Sequence, residues 1–258
     1  MLATNDFVNI ILPVLSHWVI WLIFLIIVVI GLFLYTSPHI KKSEKESHRL
    51  SIGVPILSII SLYLFTKMLE GVIYNGSILK IDEWFNSINF ALYFPLINKA
   101  AMFITIFGDA ILIILFFILV LGVLILKKRW RYALISTLAI VGASVFELII
   151  KFLVHRARPQ NLIETGFSFP SGHAVMAIIF ACLLIYSFKD DFKDKLPRYI
   201  FVILTSVFFI SVGISRIILQ VHWFSDIVAG MSLSLFWFMF LVIAERAVNS
   251  FIAKSKKL

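Results

Sequence analysis

The sequence predicts an all-α bundle of helices that crosses a membrane several times. Of its 258 residues, 61% are hydrophobic and 14% are charged, and the mean hydropathy is +1.03. Soluble domains hold roughly half apolar and a quarter charged residues, so this balance indicates a membrane protein. The apolar residues also lie in runs of about 20, the length a helix needs to cross the hydrocarbon core. No polar stretch is long enough for a soluble domain, and a single cysteine, Cys182, excludes an intrachain disulfide.

Seven apolar runs are the predicted membrane spans, of which the fifth and sixth are short. They cover residues 7–35, 52–72, 102–126, 132–153, 174–188, 199–215 and 225–245. The first run is too long for a signal peptide and no Lys or Arg precedes it, so we expect it to be retained as a helix. The chain then divides into residues 1–50, an extra N-terminal transmembrane helix with a cytoplasmic basic loop, and residues 51–258, a six-helix membrane domain.

Basic residues cluster after every second span. The clusters are Lys41, Lys42, Lys45 and Arg49; Lys127, Lys128, Arg129 and Arg131; Lys189, Lys193, Lys195 and Arg198; and Arg246, Lys254, Lys256 and Lys257. Because cytoplasmic loops are enriched in Lys and Arg, this alternation predicts an N-terminus outside and a C-terminus inside. The net charge of +9 therefore reflects membrane topology and not a nucleic-acid surface.

The connection between the second and third spans contains apolar residues at roughly helical spacing. These are Ile81, Trp84, Phe85, Ile88 and Leu92, which alternate with polar residues. Two interpretations fit the pattern equally well. The segment is either an amphipathic helix at the outer membrane surface or a loop packed against the bundle.

Three polar segments stand at the outer ends of the later spans. Residues 151–159 leave the fourth span, residues 170–173 enter the fifth, and residues 215–226 join the sixth to the seventh. Charged side chains are costly beside lipid and mark functional sites in membrane proteins. Their positions at successive outer ends predict one site on the outer face.

These segments resemble the three signatures of the type 2 phosphatidic acid phosphatase superfamily. The signatures Lys-x6-Arg-Pro, Pro-Ser-Gly-His and Ser-Arg-x5-His-x3-Asp all match, in order and without a departure. The resemblance covers roughly residues 52 to 245 and leaves out the first helix. It implies a six-span lipid phosphatase of a bacterial cytoplasmic membrane. Such an enzyme forms a phosphohistidine intermediate and needs no metal or other cofactor.

The resemblance also assigns the catalytic roles. It implies that His222 attacks phosphorus and that His173 protonates the leaving oxygen. His222 and Asp226 are four residues apart, which on a helix allows the carboxylate to hold one ring nitrogen and free the other.

The resemblance also implies which residues bind phosphate, and their types suit phosphoryl transfer. Lys151, Arg158 and Arg216 would supply positive charge for the phosphate oxygens. Ser171 and Gly172 precede an apolar helix, so we expect their backbone N–H groups to point at the anion.

The supporting residues are less directly tied to the reaction. Pro159, Pro170 and Ser215 belong to the matched signatures. Glu147, one turn before Lys151, is placed to pair with it, either to orient the lysine or as a purely structural ion pair. The pattern favours Arg156 as a surface or head-group contact and Asp109 as a helix cap.

The expected partners are a lipid phosphate and membrane lipids, with no nucleic acid. Within the resembling family undecaprenyl diphosphate is ranked first, on frequency alone, and phosphatidylglycerophosphate, phosphatidate and lipid A phosphate are alternatives. A function of another class is a lipid or anion transporter that uses the cationic pocket only for binding. A soluble vanadium haloperoxidase shares similar signatures, but the apolar spans argue against it.

Overall fold

The protein is described here by a computed structural model, which covers residues 44–88, 90–159 and 166–255. Within these ranges the chain forms nine α-helices and no β-strand. The helices are α1 (Glu44–Ile73), α2 (Ile78–Ser87), α3 (Phe90–Tyr93), α4 (Pro95–Thr105), α5 (Ala110–Leu126), α6 (Trp130–Val154), α7 (Gly172–Phe188), α8 (Lys195–Ile218) and α9 (Phe224–Ser255). The first predicted span, residues 7–35, lies outside the described residues. Helix α1 begins ahead of the domain boundary predicted at residue 51.

The predicted all-α membrane bundle is confirmed. Helices α1, α6, α7, α8 and α9 are long and apolar enough to cross a membrane, and the bent pair α4–α5 makes a sixth span if it is counted as one. Many large apolar side chains on these helices are exposed, as expected for surfaces that face lipid. The protein is an integral membrane protein.

The third predicted span is broken, which the sequence analysis did not anticipate. Residues 102–126 read as one apolar run, but α4 ends at Thr105 and α5 begins at Ala110, with a bend of 52° between them. A 3₁₀ turn, Ile106–Gly108, fills the gap. Asp109 caps α5 by accepting a hydrogen bond from the N–H of Ile111 at 2.9 Å, as predicted. Because this cap satisfies a free helix-end donor, the break is stable despite its apolar surroundings.

Helix α7 is the centre of the bundle. Of its membrane-spanning window 72% is buried, against 33% for α6 and 44% for α8. Together with the 3₁₀ turn that follows it, the helix covers Gly172–Asp191, 20 residues, which is long enough to cross a membrane. Helix α9 approaches the start of α7 closely at Gly230, where an added Cβ would lie 2.8 Å from the carbonyl oxygen of Ser171. Only glycine permits that approach, which brings the beginnings of α7 and α9 together.

The two ends of the bundle differ in character. At one end the loops after α5 and α7 are joined by ion pairs from Lys127 and Arg129 to Asp191. At the opposite end the three polar segments meet.

Candidate active site

Helix α2 lies at the end of the bundle where the three polar segments meet. The segment was predicted to be either an amphipathic helix or a loop packed against the bundle; it is a helix, and it packs against the bundle. Ile78, Ile81 and Asp82 are buried, and the ring of Phe85 stacks on that of Phe224 at 4.8 Å. The buried face of this helix therefore carries a carboxylate, Asp82, beside its apolar side chains.

His222, in the turn between α8 and α9, forms a buried pair with Asp226 in the first turn of α9. The distance from His222 Nδ1 to Asp226 Oδ2 is 3.3 Å, and the side chains are 2% and 0% exposed. Oδ2 also accepts the backbone N–H of Trp223 at 3.0 Å. A carboxylate can only accept, so Nδ1 carries the ring proton and Nε2 keeps its lone pair. The contact predicted from their spacing is thus present.

The surroundings of His222 keep its ring neutral. Burial lowers the pKa of His222 below its usual 6.5, and the positive charges of Arg158 and Arg216 lower it further. Asp226 opposes this shift but does not cancel it. At neutral pH the imidazole is unprotonated, which is the form a nucleophile requires.

Arg158 lies directly on the reactive side of this ring. Its Nη1 is 3.1 Å from His222 Nε2 and donates to the carbonyl of Val221 at 3.0 Å. Pro159, which follows it, is buried. An anion that reached Nε2 would meet the guanidinium at the same place.

Lys151 sits beside the start of α7. It forms an ion pair with Glu147, one turn earlier on α6, as the spacing predicted. A Cβ added to Gly172 would lie 2.8 Å from Glu147 Oε1 and 3.6 Å from Lys151 Nζ. Gly172 therefore allows the Glu147–Lys151 ion pair to approach the positive end of the α7 dipole, where the lysine adds a second positive group that an anion can bind.

Ser171 differs from its predicted use. Its backbone N–H donates to the carbonyl of Asp226 at 3.1 Å, so this group does not point at an anion as we expected. Ser171 is fully buried, and its hydroxyl caps α7 by accepting from the N–H of Ala174 at 3.5 Å. A buried N–H must find an acceptor, and the close approach of α9 supplies one. Pro170, just before it, is also buried.

The break in the third span brings two residues to the site that the sequence analysis missed. Thr105 Oγ1 accepts a hydrogen bond from Arg216 Nη1 at 2.7 Å, and Arg216 is only 3% exposed. Gly108 lies against His173, whose Cδ2 would be 2.7 Å from an added Cβ. Ser215, beside Arg216, donates its hydroxyl hydrogen to the carbonyl of Val212 at 2.6 Å.

The prediction for Arg156 is wrong. Its side chain is 11% exposed and pairs with Asp82 at 2.6 Å and Asp226 at 2.7 Å. Helix α6 ends at Val154, and His155 adopts the left-handed conformation, with φ of 51°. Such a residue reverses the chain after a helix, and here Arg156 lies within the bundle and not at the head groups.

One family model, one relative of known function and two solved structures are similar to this chain. The PAP2 superfamily model matches residues 130–249, which include all three polar segments. Phosphatidylglycerophosphatase B of Bacillus subtilis (strain 168) is 27% identical over 198 residues, 74% of this chain and 97% of that protein.

Two solved structures are similar. The crystal structure of the first transmembrane PAP2 type phosphatidylglycerolphosphate phosphatase from Bacillus subtilis has a TM-score of 0.62 at 24% identity, covering 73% of this chain and 96% of that one. The crystal structure of Aquifex aeolicus LpxE has a TM-score of 0.46 at 23% identity, covering 62% of this chain and 93% of that one. The first likeness shows that the two chains share a fold.

Proposed function

We propose that the chain is a member of the PAP2 superfamily, whose model matches residues 130–249, and that it removes phosphate from a membrane lipid through a phosphohistidine intermediate. Whichever lipid it acts on, it is a membrane-embedded lipid phosphatase. The observation that carries the mechanism is the buried His222–Asp226 pair with Arg158 at the unprotonated ring nitrogen. This is an oriented nucleophile with a phosphate-binding cation beside it.

The first half of the reaction breaks the bond between phosphorus and the lipid oxygen. Nε2 of His222 attacks phosphorus, and the electron pair of the breaking bond passes to the lipid oxygen. His173 in its protonated form gives that oxygen a proton, so the lipid leaves as an alcohol. Asp226 stabilises the positive ring formed during the attack.

The second half regenerates the enzyme. Water attacks the phosphohistidine, its proton passes to His173, and inorganic phosphate leaves with His222 neutral again. Throughout, Lys151, Arg158 and Arg216 face the charge that spreads over the three equatorial oxygens. Each of these cations is held in place by a neighbour, through Glu147, Val221 and Thr105 respectively.

Phosphatidylglycerophosphate is the substrate we propose. The curated relative aligned over nearly its whole length is a phosphatidylglycerophosphatase. That similarity supports phosphatidylglycerophosphate over undecaprenyl diphosphate, which was ranked first only on its frequency within the resembling family and which stays a prediction. A site at the helix ends suits either lipid, since a phosphate at the head-group plane reaches it while the tail stays in the membrane.

A substrate panel tests this proposal. The purified protein in detergent micelles is given phosphatidylglycerophosphate, phosphatidate, lipid A phosphate and undecaprenyl diphosphate, and released inorganic phosphate is measured. We expect the highest kcat/KM on phosphatidylglycerophosphate. A higher value on another lipid would overturn the substrate choice. No phosphate from any of them, together with binding that survives His222→Ala, would favour the transporter.

We also propose that the site faces the extracytoplasmic side, with the C-terminus inside. The support is that the basic loops after α5 and α7 lie together at the end opposite the site. A membrane-impermeant thiol reagent on intact cells is expected to label Ser87→Cys, at the site end, and to spare Lys193→Cys. Both positions are exposed, and the native Cys182 is buried, so it does not interfere. The reverse labelling would refute this orientation.

A further inference from the structure

Asp226 is bound on both of its oxygens. Oδ2 faces His222 Nδ1 and the N–H of Trp223, while Oδ1 accepts a hydrogen bond from Arg156 Nη1 at 2.7 Å. Arg156 therefore contacts the carboxylate on the side away from the nucleophile. Its guanidinium also lies over the ring of Trp223, 5.2 Å from the centroid.

Arg156 is itself held by Asp82 of α2. Arg156 Nη2 donates to Asp82 Oδ2 at 2.6 Å, and Asp82 Oδ1 accepts the backbone N–H of Ser225 at 2.8 Å. The hydroxyl of Ser225 donates to Asp82 Oδ2 at 2.7 Å and accepts from Arg156 Nη1 at 2.7 Å. The result is a closed network in which each charged group has a partner.

We propose that Arg156, fixed by Asp82, is a positioning residue that acts through Asp226 to set the tautomer and orientation of His222. The proposal rests on the proposed function and deepens it. Arg156 does not touch the reacting atoms in this arrangement, because Asp226 lies between it and the ring. Its effect on the reaction is indirect.

The physical reason is the cost of a buried carboxylate. Asp226 is fully buried, and its catalytic partner His222 is neutral, so another group must balance its charge. Arg156 provides that charge at hydrogen-bonding distance. Its planar fork also holds two carboxylates at a fixed angle, which a lysine ammonium cannot do.

Helix α2 is therefore part of the catalytic framework although it precedes the residues matched by the family model. Besides Asp82, it is tied to the turn between α8 and α9 by Gln220, whose Nε2 donates to the carbonyl of Asn86 at 2.6 Å. The stacked rings of Phe85 and Phe224 make a third link. Together these contacts locate Asp82 against the first turn of α9.

The charges around the pair decide the expected pH effect. Asp82 on α2, Arg156 and Arg158 after α6, and Arg216 on α8 face the His222–Asp226 pair. Removing the positive charge of Arg156 makes it easier for the pair to take up a proton. The acid limb of kcat/KM belongs to the pair as a whole and should move to higher pH.

The test compares Arg156→Gln, Arg156→Lys and Asp82→Asn with Arg131→Gln as a control. Arg131 pairs with Glu245 between two spans at the opposite end of the bundle. For Arg156→Gln we expect kcat on phosphatidylglycerophosphate to fall about 10- to 100-fold with little change in KM, by analogy with the loss of a group that orients a metal-binding histidine. Arg156→Lys should recover part of kcat, Asp82→Asn should lose less, and Arg131→Gln should match the wild type.

A second readout does not depend on turnover. ¹⁵N NMR of histidine-labelled protein in micelles reports which ring nitrogen of His222 carries the proton, with His222→Ala identifying the signal. Wild type should show the Nδ1–H form, and Arg156→Gln a mixture of tautomers. An unchanged tautomer and pH profile would overturn the proposal, as would an equal loss of activity at every pH that tracks a lower melting temperature. If Arg156→Gln changed the tautomer of His222 while the wild-type protein released no phosphate from any lipid, the proposed function alone would be refuted.

Discussion

Replacing His222 by alanine is expected to reduce phosphate release by about 10⁴-fold or more, the scale seen when a covalent nucleophile is lost. The substitution removes the ring nitrogen that faces Arg158 and leaves Asp226 with its other partners, Arg156 and the N–H of Trp223. Since Asp226 keeps its counter-charge, the fold should survive. The expected result is a stable, inactive protein.

The phosphoenzyme distinguishes a lost nucleophile from a damaged site. Wild type quenched during turnover of ³²P-labelled lipid should carry label that is released by acid and retained in alkali, as a phosphohistidine would be. His222→Ala should carry none. The matched control is His155→Asn, which changes an exposed histidine at the same end of the bundle and keeps a residue that tolerates a positive φ. A His222→Ala protein that still forms the acid-labile adduct would assign the nucleophile elsewhere.

The contacts that the sequence predicted are mostly local. The four-residue spacing of Glu147 and Lys151 implied contact on a helix face, and the pair is present on α6. The same spacing implied a contact between His222 and Asp226, which is present although His222 lies in the turn before α9. The spans followed from apolar runs because lipid requires such runs. Neither inference needed knowledge of how distant helices pack.

The network of Asp82 and Arg156 could not be predicted in the same way. A carboxylate on an amphipathic helix has the same sequence pattern whether it faces water or a buried arginine 74 residues later. Arg156 also stands at an unconstrained position of its signature. Only the docking of α2 on the first turn of α9 reveals that the two groups meet.

The break in the third span was hidden for a different reason. The break contains only two polar side chains, Thr105 and Asp109, and apolar residues flank both, so the hydropathy pattern still predicts one span. Asp109 was recognised as a cap, yet a cap at the expected end of a span does not reveal that helix α4 precedes it. Thr105 contacts Arg216 only because of the bend.

Arg158→Gln is expected to lower kcat/KM by about 100- to 1000-fold, the loss found when one preorganised donor to a transition-state oxyanion is removed. Arg158 Nη1 lies at hydrogen-bonding distance from the attacking nitrogen, so its donors meet the phosphate oxygens as the new bond forms. Arg158→Lys keeps the positive charge but loses the planar guanidinium that can donate two parallel hydrogen bonds to phosphate. We expect it to fall between Arg158→Gln and the wild type.

The pH profile separates this direct role from an effect on His222. The charge of Arg158 lowers the pKa of His222, so its removal moves the acid limb of kcat/KM to higher pH. Well above that limb the ring is neutral in both proteins, and the difference that remains there measures the lost contact with phosphate. Thermal melting and Arg131→Gln control for general damage. If the activities of Arg158→Gln and wild type converged at high pH, Arg158 would act only by tuning the histidine, and another cation would have to bind the phosphate.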